Sequence, residues 1–359
     1  VKFAQVNQEL KSISEKSFRT AVLNMPAMQL VMYTTIICIL WFGGKLIFAG
    51  EMQVGELTGF LSYVLQILNS LMMISNVFLM LTRAMASGKR ILDVLDEEID
   101  LKEDPEATGE IKAGEIEFRN VSFKYKKEGK KYVLSNVSFH IEPGQTVGII
   151  GGTGSAKSTL VQLIPRLYDV TEGEILIDQI PVKQYPLKHL REAVAMVLQK
   201  NTLFTGTIAD NLRWGKEDAS EEELMKACRM ACADEFLLQM KDGLSSQVEQ
   251  GGVNLSGGQK QRLCIARALL KRPRILILDD STSAVDTATE AKIREALQNS
   301  LADTTKIIIA QRITSVMHAD QILIMEDGKL NDCGTHEELL QRNEIYQEIY
   351  YSQQEGCGL

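Results

Sequence analysis

The chain has 359 residues, 45% hydrophobic and 24% charged, which leaves room for two or three folded domains of ordinary composition. Its 47 acidic residues outnumber 39 Lys and Arg, a formal charge of −8. That balance excludes an extended nucleic-acid surface, which needs clustered cations to displace phosphate counterions. The six cysteines, Cys38, Cys228, Cys232, Cys264, Cys333 and Cys357, are scattered without CxxC spacing, so neither a disulfide framework nor a zinc site is indicated. Cys228 and Cys232 can share a helix face, where two small buried residues are a simpler reading than a metal pair. The sequence opens on Val1 with no initiator Met and no signal-peptide pattern, and is read as a stretch of something longer.

Between Arg19 and Lys45 lie 25 residues without a charge, and between Glu56 and Arg83 lie 26 more. As helices rising about 1.5 Å per residue, each reaches roughly 37 Å, enough to cross a hydrocarbon core of about 30 Å with some tilt. Residues 1–20 carry four basic and two acidic side chains, and Arg83, Lys89 and Arg90 follow the second span before any acid. The connecting segment holds Lys45 against Glu51 and Glu56, so the charge bias puts both outer ends in the cytoplasm. Asn24, Gln29, Tyr33, Gln66, Asn69 and Asn76 are polar groups that hydrocarbon penalises unless they face protein or a water-filled path. Met25, Met28, Met32, Met72, Met73 and Met80 add adaptable apolar surface, suited to a cavity for varied hydrophobic ligands or to plain packing. Pro26 is placed to kink the first span.

TRAMASGKRILDVLDEE then continues as a cytoplasmic helical extension, closing a membrane segment over 1–100. Residues 101–113, with Pro105 and Gly109, read as a linker to a second domain over 114–359. That domain opens with period-two strands (Ile116, Phe118; Val121, Phe123, Tyr125; Val137, Phe139, Ile141), the signature of a small antiparallel sheet. Continuous apolar runs follow, VGII, ILIL and IIIA, separated by helical segments, as in a mostly parallel sheet covered on both faces.

VGIIGGTGSAKSTLVQL combines a strand, a glycine-rich loop and a helix, the context a phosphate-binding loop requires. The backbone around Gly151, with the N–H groups of Gly152, Thr153, Gly154 and Ser155, can cradle phosphate oxygens at a helix N-terminus. Lys157 would neutralise the β and γ phosphates, the Ser158 hydroxyl would meet Mg²⁺, and Thr159 would lie near the α phosphate. The usual GxxxxGK[ST] pattern has glycine where this chain has Ala156, a steric cost if that position needs positive φ. Further on, Ser256, Gly257 and Gly258 open a helix as a second anion site. The apolar strand 275–278 delivers Asp279 to the sheet edge where ligands bind, as an acid able to hold Mg²⁺ through water.

With LSGGQ intact at 255–259, the chain resembles the ABC transporter family. The resemblance implies an α/β P-loop NTPase of the ABC type, with an antiparallel β subdomain and a helical subdomain, preceded by an all-α transmembrane hairpin, the last two helices of a half-transporter. It implies ATP and Mg²⁺ as ligands, and a second half-transporter whose nucleotide is covered by this chain's Ser256, Gly257, Gly258 and Gln259. Tyr125 resembles the adenine-stacking aromatic, Gln199 the glutamine that senses Mg²⁺, and Asp286 the end of a loop that crosses between subunits.

Two positions depart from the family pattern at the reacting end. Asp280 stands where active members carry a glutamate that orients the attacking water, one methylene longer. Gln311 stands where they carry a γ-phosphate-contacting histidine, and an amide neither titrates nor carries charge. VEQGG at 248–252 also departs from the usual VGExG. The pair at 280 and 311 implies a degenerate catalytic site in a heterodimeric exporter of drug-like or amphiphilic molecules, set in the cell membrane with its nucleotide domain cytoplasmic. Open alternatives are a homodimeric exporter with two slow competent sites and an ATP-gated channel subunit. A soluble ATPase acting on nucleic acid is disfavoured by the uncharged spans and the acidic charge.

Overall fold

The computed structural model describes residues 2–126, 129, 131–281 and 284–355. Of the residues named above, Val1, Cys357 and the side chains of Asn24 and Met25 lie outside what is described. The chain separates into two compact units, Val1–Ile99 and Asp100–Leu359.

The first unit is a hairpin of two helices, α1 (Lys2–Phe48) and α2 (Val54–Leu95). Helix α1 runs on through Pro26, and α2 continues without a break into the predicted extension as far as Leu95, with Asp96 as its C-terminal flank. Each contains a stretch long and apolar enough to cross a membrane, with mean hydropathy 1.8. Large apolar side chains such as Ile37, Trp41, Phe60 and Phe78 are exposed on these helices. Several of their Ser and Thr hydroxyl groups are satisfied internally: Thr34 donates to Leu30 O, Thr35 to Val31 O, Ser70 to Gln66 O and Thr82 to Phe78 O. That is the arrangement a medium without water requires. Near the turn the helices meet where Leu57 packs on Gly43; a Cβ there would lie 2.3 Å from Leu57 Cδ1.

In the second unit, β1 (Ile116–Phe123) and β2 (Leu134–Ile141) pair antiparallel, with Phe118 opposite Phe139. After β3 (Thr146–Ile150) and α3 (Lys157–Gln162) come β4 (Glu172–Ile177), β5 (Ile180–Pro181), α4 (Leu187–Ala193) and β6 (Val194–Val197). A helical region follows with β7 (Gly206–Thr207), α5 (Ile208–Arg213), α6 (Glu221–Met230), α7 (Asp234–Leu237), β8 (Gln247–Val248) and α8 (Gly257–Leu270). The chain closes with β9 (Ile275–Asp279), α9 (Thr287–Ser300), β10 (Thr305–Ile309), β11 (Gln321–Glu326), β12 (Lys329–Gly334), α10 (His336–Arg342) and α11 (Glu344–Glu355).

Strands β2-β1-β4-β5 form one sheet, and β12-β11-β3-β10-β9-β6 a second that is parallel except for its edge strand β12. The continuous apolar runs are explained by burial on both faces. Ile275 and Ile277 of β9 enter the core shared with the antiparallel sheet and α3, while Leu276 and Leu278 face the core beneath α5–α8. At about 2 kcal/mol for each fully buried aliphatic side chain, such a strand is a large part of the domain's driving force.

Residues 101–113, read from sequence as a linker, have no regular secondary structure and are nevertheless fastened down. Arg166 Nη2 donates to Lys102 O at 2.9 Å, and Leu187 N to Glu103 Oε1 at 2.7 Å. The Asp178 carboxylate accepts four consecutive backbone N–H groups, from Lys112, Ala113, Gly114 and Glu115, at 2.6–2.9 Å. Gly109 lies flat against buried Tyr185, where a Cβ would come within 2.7 Å of the ring.

Candidate nucleotide site

Strand β3 and helix α3 present the loop 151–156 at the carboxyl edge of the parallel sheet. A Cβ at Gly151 would lie 2.0 Å from Met325 O, so glycine is needed there to let the loop leave β3 beside β11. Ala156 is the N-terminal flanking residue of α3, at φ 70° and ψ 22°. The position therefore does sit in the left-handed region, where a Cβ costs about 1–2 kcal/mol that glycine avoids.

Lys157 folds over its own loop, donating to Gly151 O at 2.6 Å, Gly152 O at 2.9 Å and Ser155 Oγ at 3.3 Å. Burial pushes its pKa down, opposed by the charges of Asp279 and Asp280. Asp279, at the end of β9, is 4% exposed and accepts the Ser158 hydroxyl at 3.0 Å. Burial pushes this carboxyl up, with the Ser158 hydrogen bond working the other way.

Asp280, at φ 48°, turns the chain out of the strand while its N–H donates to Ile309 O. Its Oδ2 accepts two side-chain amides, Gln199 Nε2 at 3.1 Å and Gln311 Nε2 at 2.7 Å. Two loops, 81 and 31 residues away from position 280 in the chain, thus meet on one carboxylate oxygen.

A cleft of about 520 Å³ is lined by residues 151–159, Gln199, Asp279, Asp280 and Gln311, with Val133 and Ile349 as apolar walls. Tyr125 does not line it, but its hydroxyl meets Thr159 Oγ1 at 3.0 Å and its ring packs edge-on against Phe123 and Tyr168. The ring is half exposed beside the helix that begins at the loop. Ser158 Oγ and Asp279 Oδ1, adjacent oxygen donors facing this cleft, suit Mg²⁺, which takes one or two protein oxygens and completes its shell from phosphate and water. Among the described residues no group of three or more His, Cys, Asp or Glu converges into a full cage.

The signature segment lies outside this cleft. Ser256 caps α8, with Oγ accepting from Gln259 N at 3.2 Å while Gln259 Oε1 accepts from Ser256 N at 2.9 Å, a reciprocal capping box. Gly258 is needed because a Cβ would lie 2.9 Å from Ala284 O. Asp286 likewise serves as a cap: Oδ1 accepts from Thr289 N, which holds the carboxyl below its usual range. At 248–252, Lys260 Nζ donates to Gly251 O, but nothing in the structure explains the departure from VGExG.

Sequence reasoning missed two contributors. Ile349 and Gln353 come from α11, whose sequence carries no recognisable motif; Gln353 Nε2 donates to Gln311 O at 2.7 Å and its Oε1 accepts from Ile313 N at 2.9 Å. No local signal could have placed Ile349 at the cleft or Gln353 behind the loop that carries Gln311.

Comparison with known proteins agrees with this architecture. The ABC transporter family model matches residues 134–283, and that of the ABC transporter transmembrane region matches residues 1–71. YfiB of Bacillus subtilis (strain 168), an uncharacterized ABC transporter ATP-binding protein, is 45% identical over 352 residues, 98% of this chain and 61% of its own length. YgaD of the same organism, an ATP-binding/permease protein provisionally named for multidrug export, is 38% identical over 97% of this chain and 60% of its own. A solved bacterial Atm1-family ABC exporter with ATP bound superposes with a TM-score of 0.73 at 31% identity, covering 91% of this chain and 57% of that one. The chain therefore spans about three-fifths of the length of the curated relatives it matches. A P-loop ATPase domain carrying LSGGQ, joined to helices of the matching transmembrane region, makes this chain a member of the ABC transporter family.

Proposed function

We propose that the chain is the ATP-binding half of a heterodimeric ABC exporter, whose own cleft holds ATP and turns it over slowly while its LSGGQ segment completes a faster cleft on a second half-transporter. The arrangement at Asp280 carries this reading. Its carboxylate is one methylene shorter than a glutamate, and the Oδ2 that would face water already accepts amides from Gln199 and Gln311. Gln311 is neutral, so it supplies no cation to offset charge developing on a transferred phosphoryl group.

The binding half of the cleft is intact. The N–H groups of residues 151–156 cradle phosphate, Lys157 neutralises the β and γ groups, Thr159 approaches the α phosphate, and the Tyr125 ring stacks on adenine. Ser158, Asp279 and Gln199 would hold Mg²⁺, which would draw charge from the β and γ phosphates when bound. Ser256, Gly257, Gly258 and Gln259 cover nucleotide held by the partner. Binding and turnover are thereby separated between residues of one cleft.

Helices α1 and α2 cross the cell membrane in contact with lipid, and the basic bias of their outer ends puts the nucleotide domain in the cytoplasm. Their exposed apolar and methionine-rich faces, and the provisional name of YgaD, support a hydrophobic small molecule as the exported substrate. Nucleic acid is not a partner on this reading.

The test is site-resolved. In the full-length transporter with its partner, photolabelling by 8-azido-ATP is expected to leave nucleotide on this subunit through many partner turnovers. Equal loss from both subunits, or hydrolysis by this subunit alone at the rate of the pair, would replace this reading with a homodimeric exporter having two competent sites.

A further inference from the structure

The loop that carries Gln311 is held from outside the cleft. Gln353, in the last turn of α11, uses both ends of its amide on that loop: Nε2 donates to Gln311 O at 2.7 Å and Oε1 accepts from Ile313 N at 2.9 Å. The helix presenting it is itself anchored. Tyr346 is fully buried, its hydroxyl meets His336 Nδ1 at 2.7 Å, and its N–H donates to Asn343 Oδ1 at 2.9 Å. Ile345, Ile349 and Tyr350 pack against the buried cluster that contains Ala310 and Ile313, the apolar residues on either side of Gln311 and Arg312. Arg294 adds a third hold by donating to Thr314 O at 3.1 Å.

These bonds are in series with the cleft. From Gln353 the connection passes through the backbone of Gln311 to its side-chain amide, and from there to Asp280 Oδ2, which also accepts Gln199 Nε2. A planar amide that both donates and accepts fixes the loop's orientation as well as its distance. One bond alone would leave the Gln311 peptide free to rotate, and with it the side chain that reaches Asp280.

We propose that Gln353 is a positioning residue for this cleft: the C-terminal helix sets the geometry of position 311 against position 280, and so the rate of phosphoryl transfer there, without touching nucleotide. This rests on the reading of the cleft given above as a slow ATP site.

The test uses the full-length transporter with its partner, in a background where Asp280→Glu and Gln311→His restore the family residues to this cleft. Backbone contact with Gln353 is independent of the side chain at 311, so the clamp persists in that background. Gln353→Ala is expected to lower single-turnover hydrolysis in this cleft about tenfold, with affinity for a fluorescent ATP analogue within twofold, because the loop is misplaced while the phosphate cradle is untouched. Hydrogen exchange across 311–316 should rise in Gln353→Ala even without nucleotide. Gln353→Glu supplies a chemical rescue: protonated, its carboxyl donates to Gln311 O and accepts from Ile313 N as the amide does. Its rate relative to the Gln353 parent should therefore climb as pH falls.

Unchanged exchange at 311–316 would overturn the clamp while leaving the slow-site reading intact. Faster exchange with unaltered turnover would overturn the positioning role. Turnover and affinity falling together, with a lower melting temperature, would reduce Gln353 to a packing residue and also overturn it. Equal nucleotide loss from both clefts of the unmodified pair would overturn the slow-site reading instead.

Discussion

Asp280→Glu, made together with Gln311→His, is the sharpest probe of the cleft. In the present geometry Asp280 Oδ2 lies 3.1 Å from Gln199 Nε2 and 2.7 Å from Gln311 Nε2, so the carboxylate is tied back to its own domain. A glutamate adds about 1.5 Å of reach, one C–C bond. Misplacement of a reacting group by about 1 Å costs on the order of 100-fold in rate, about 2.7 kcal/mol of barrier, so restoring the reach should return roughly that factor. Against this, moving the carboxylate forward breaks two amide hydrogen bonds, for a loss of about 1–2 kcal/mol of stability. The double variant is therefore expected to hydrolyse ATP in this cleft about 100-fold faster than the parent while melting a few degrees lower. The measurement is single-turnover hydrolysis in the full-length pair, with the partner's own water-orienting residue disabled. A rate within twofold of the parent would show that reach at position 280 does not limit turnover, and the reasoning would fail.

Three further outcomes follow from particular residues. Ala156→Gly removes left-handed strain of about 1–2 kcal/mol and adds unfolded-chain freedom of about 0.4–1 kcal/mol, so a net gain of about 0.5 kcal/mol is expected by urea denaturation; a clear loss would mean the strain is absent. Asp279→Asn removes a buried carboxylate whose pKa is raised by burial. A raised folded pKa means that the parent is most stable below the ordinary aspartate value and loses stability as pH rises through the folded one. The variant without Mg²⁺ should thus melt at or above the parent at neutral pH, with the gap closing below about pH 4, and should lose Mg²⁺-dependent nucleotide binding; a gap that widened in acid would refute the sign. Asp178→Ala strands four backbone N–H groups and should cost about 2–3 kcal/mol, with faster hydrogen exchange confined to 112–115; exchange unchanged there would show that the strap does not depend on this carboxylate.

Much of this protein can be read along the chain because its signals are local. Two uncharged stretches announce α1 and α2, since hydrocarbon tolerates few alternatives to a helix whose backbone and hydroxyl groups are satisfied internally. Continuous apolar runs announce β3, β9 and β10, because a strand covered on both faces has no polar side to display. The phosphate loop needs its glycines, lysine and hydroxyl at set spacing, and Ser256 to Gln259 spell out a capping box in four residues. The substitutions at 156, 280 and 311 were visible in the same way, as departures at positions whose chemistry is specified by neighbours in sequence.

What sequence could not supply was the company those residues keep. The stretch 101–113 looks like a free linker by composition, and only the fold brings Asp178, Arg166 and Tyr185 to fasten it. Asp280 could be judged short, but that its oxygen is shared by Gln199 and Gln311 depends on three strands and loops meeting at one sheet edge. Gln353 carries no motif and becomes informative only because α11 packs its apolar face beside Ile313. The physical reason is the same throughout: helix caps, glycine turns and apolar periodicity are energies between near neighbours in the chain. The placement of a distant amide or carboxylate is decided by how whole elements pack, and that is settled only when the core closes.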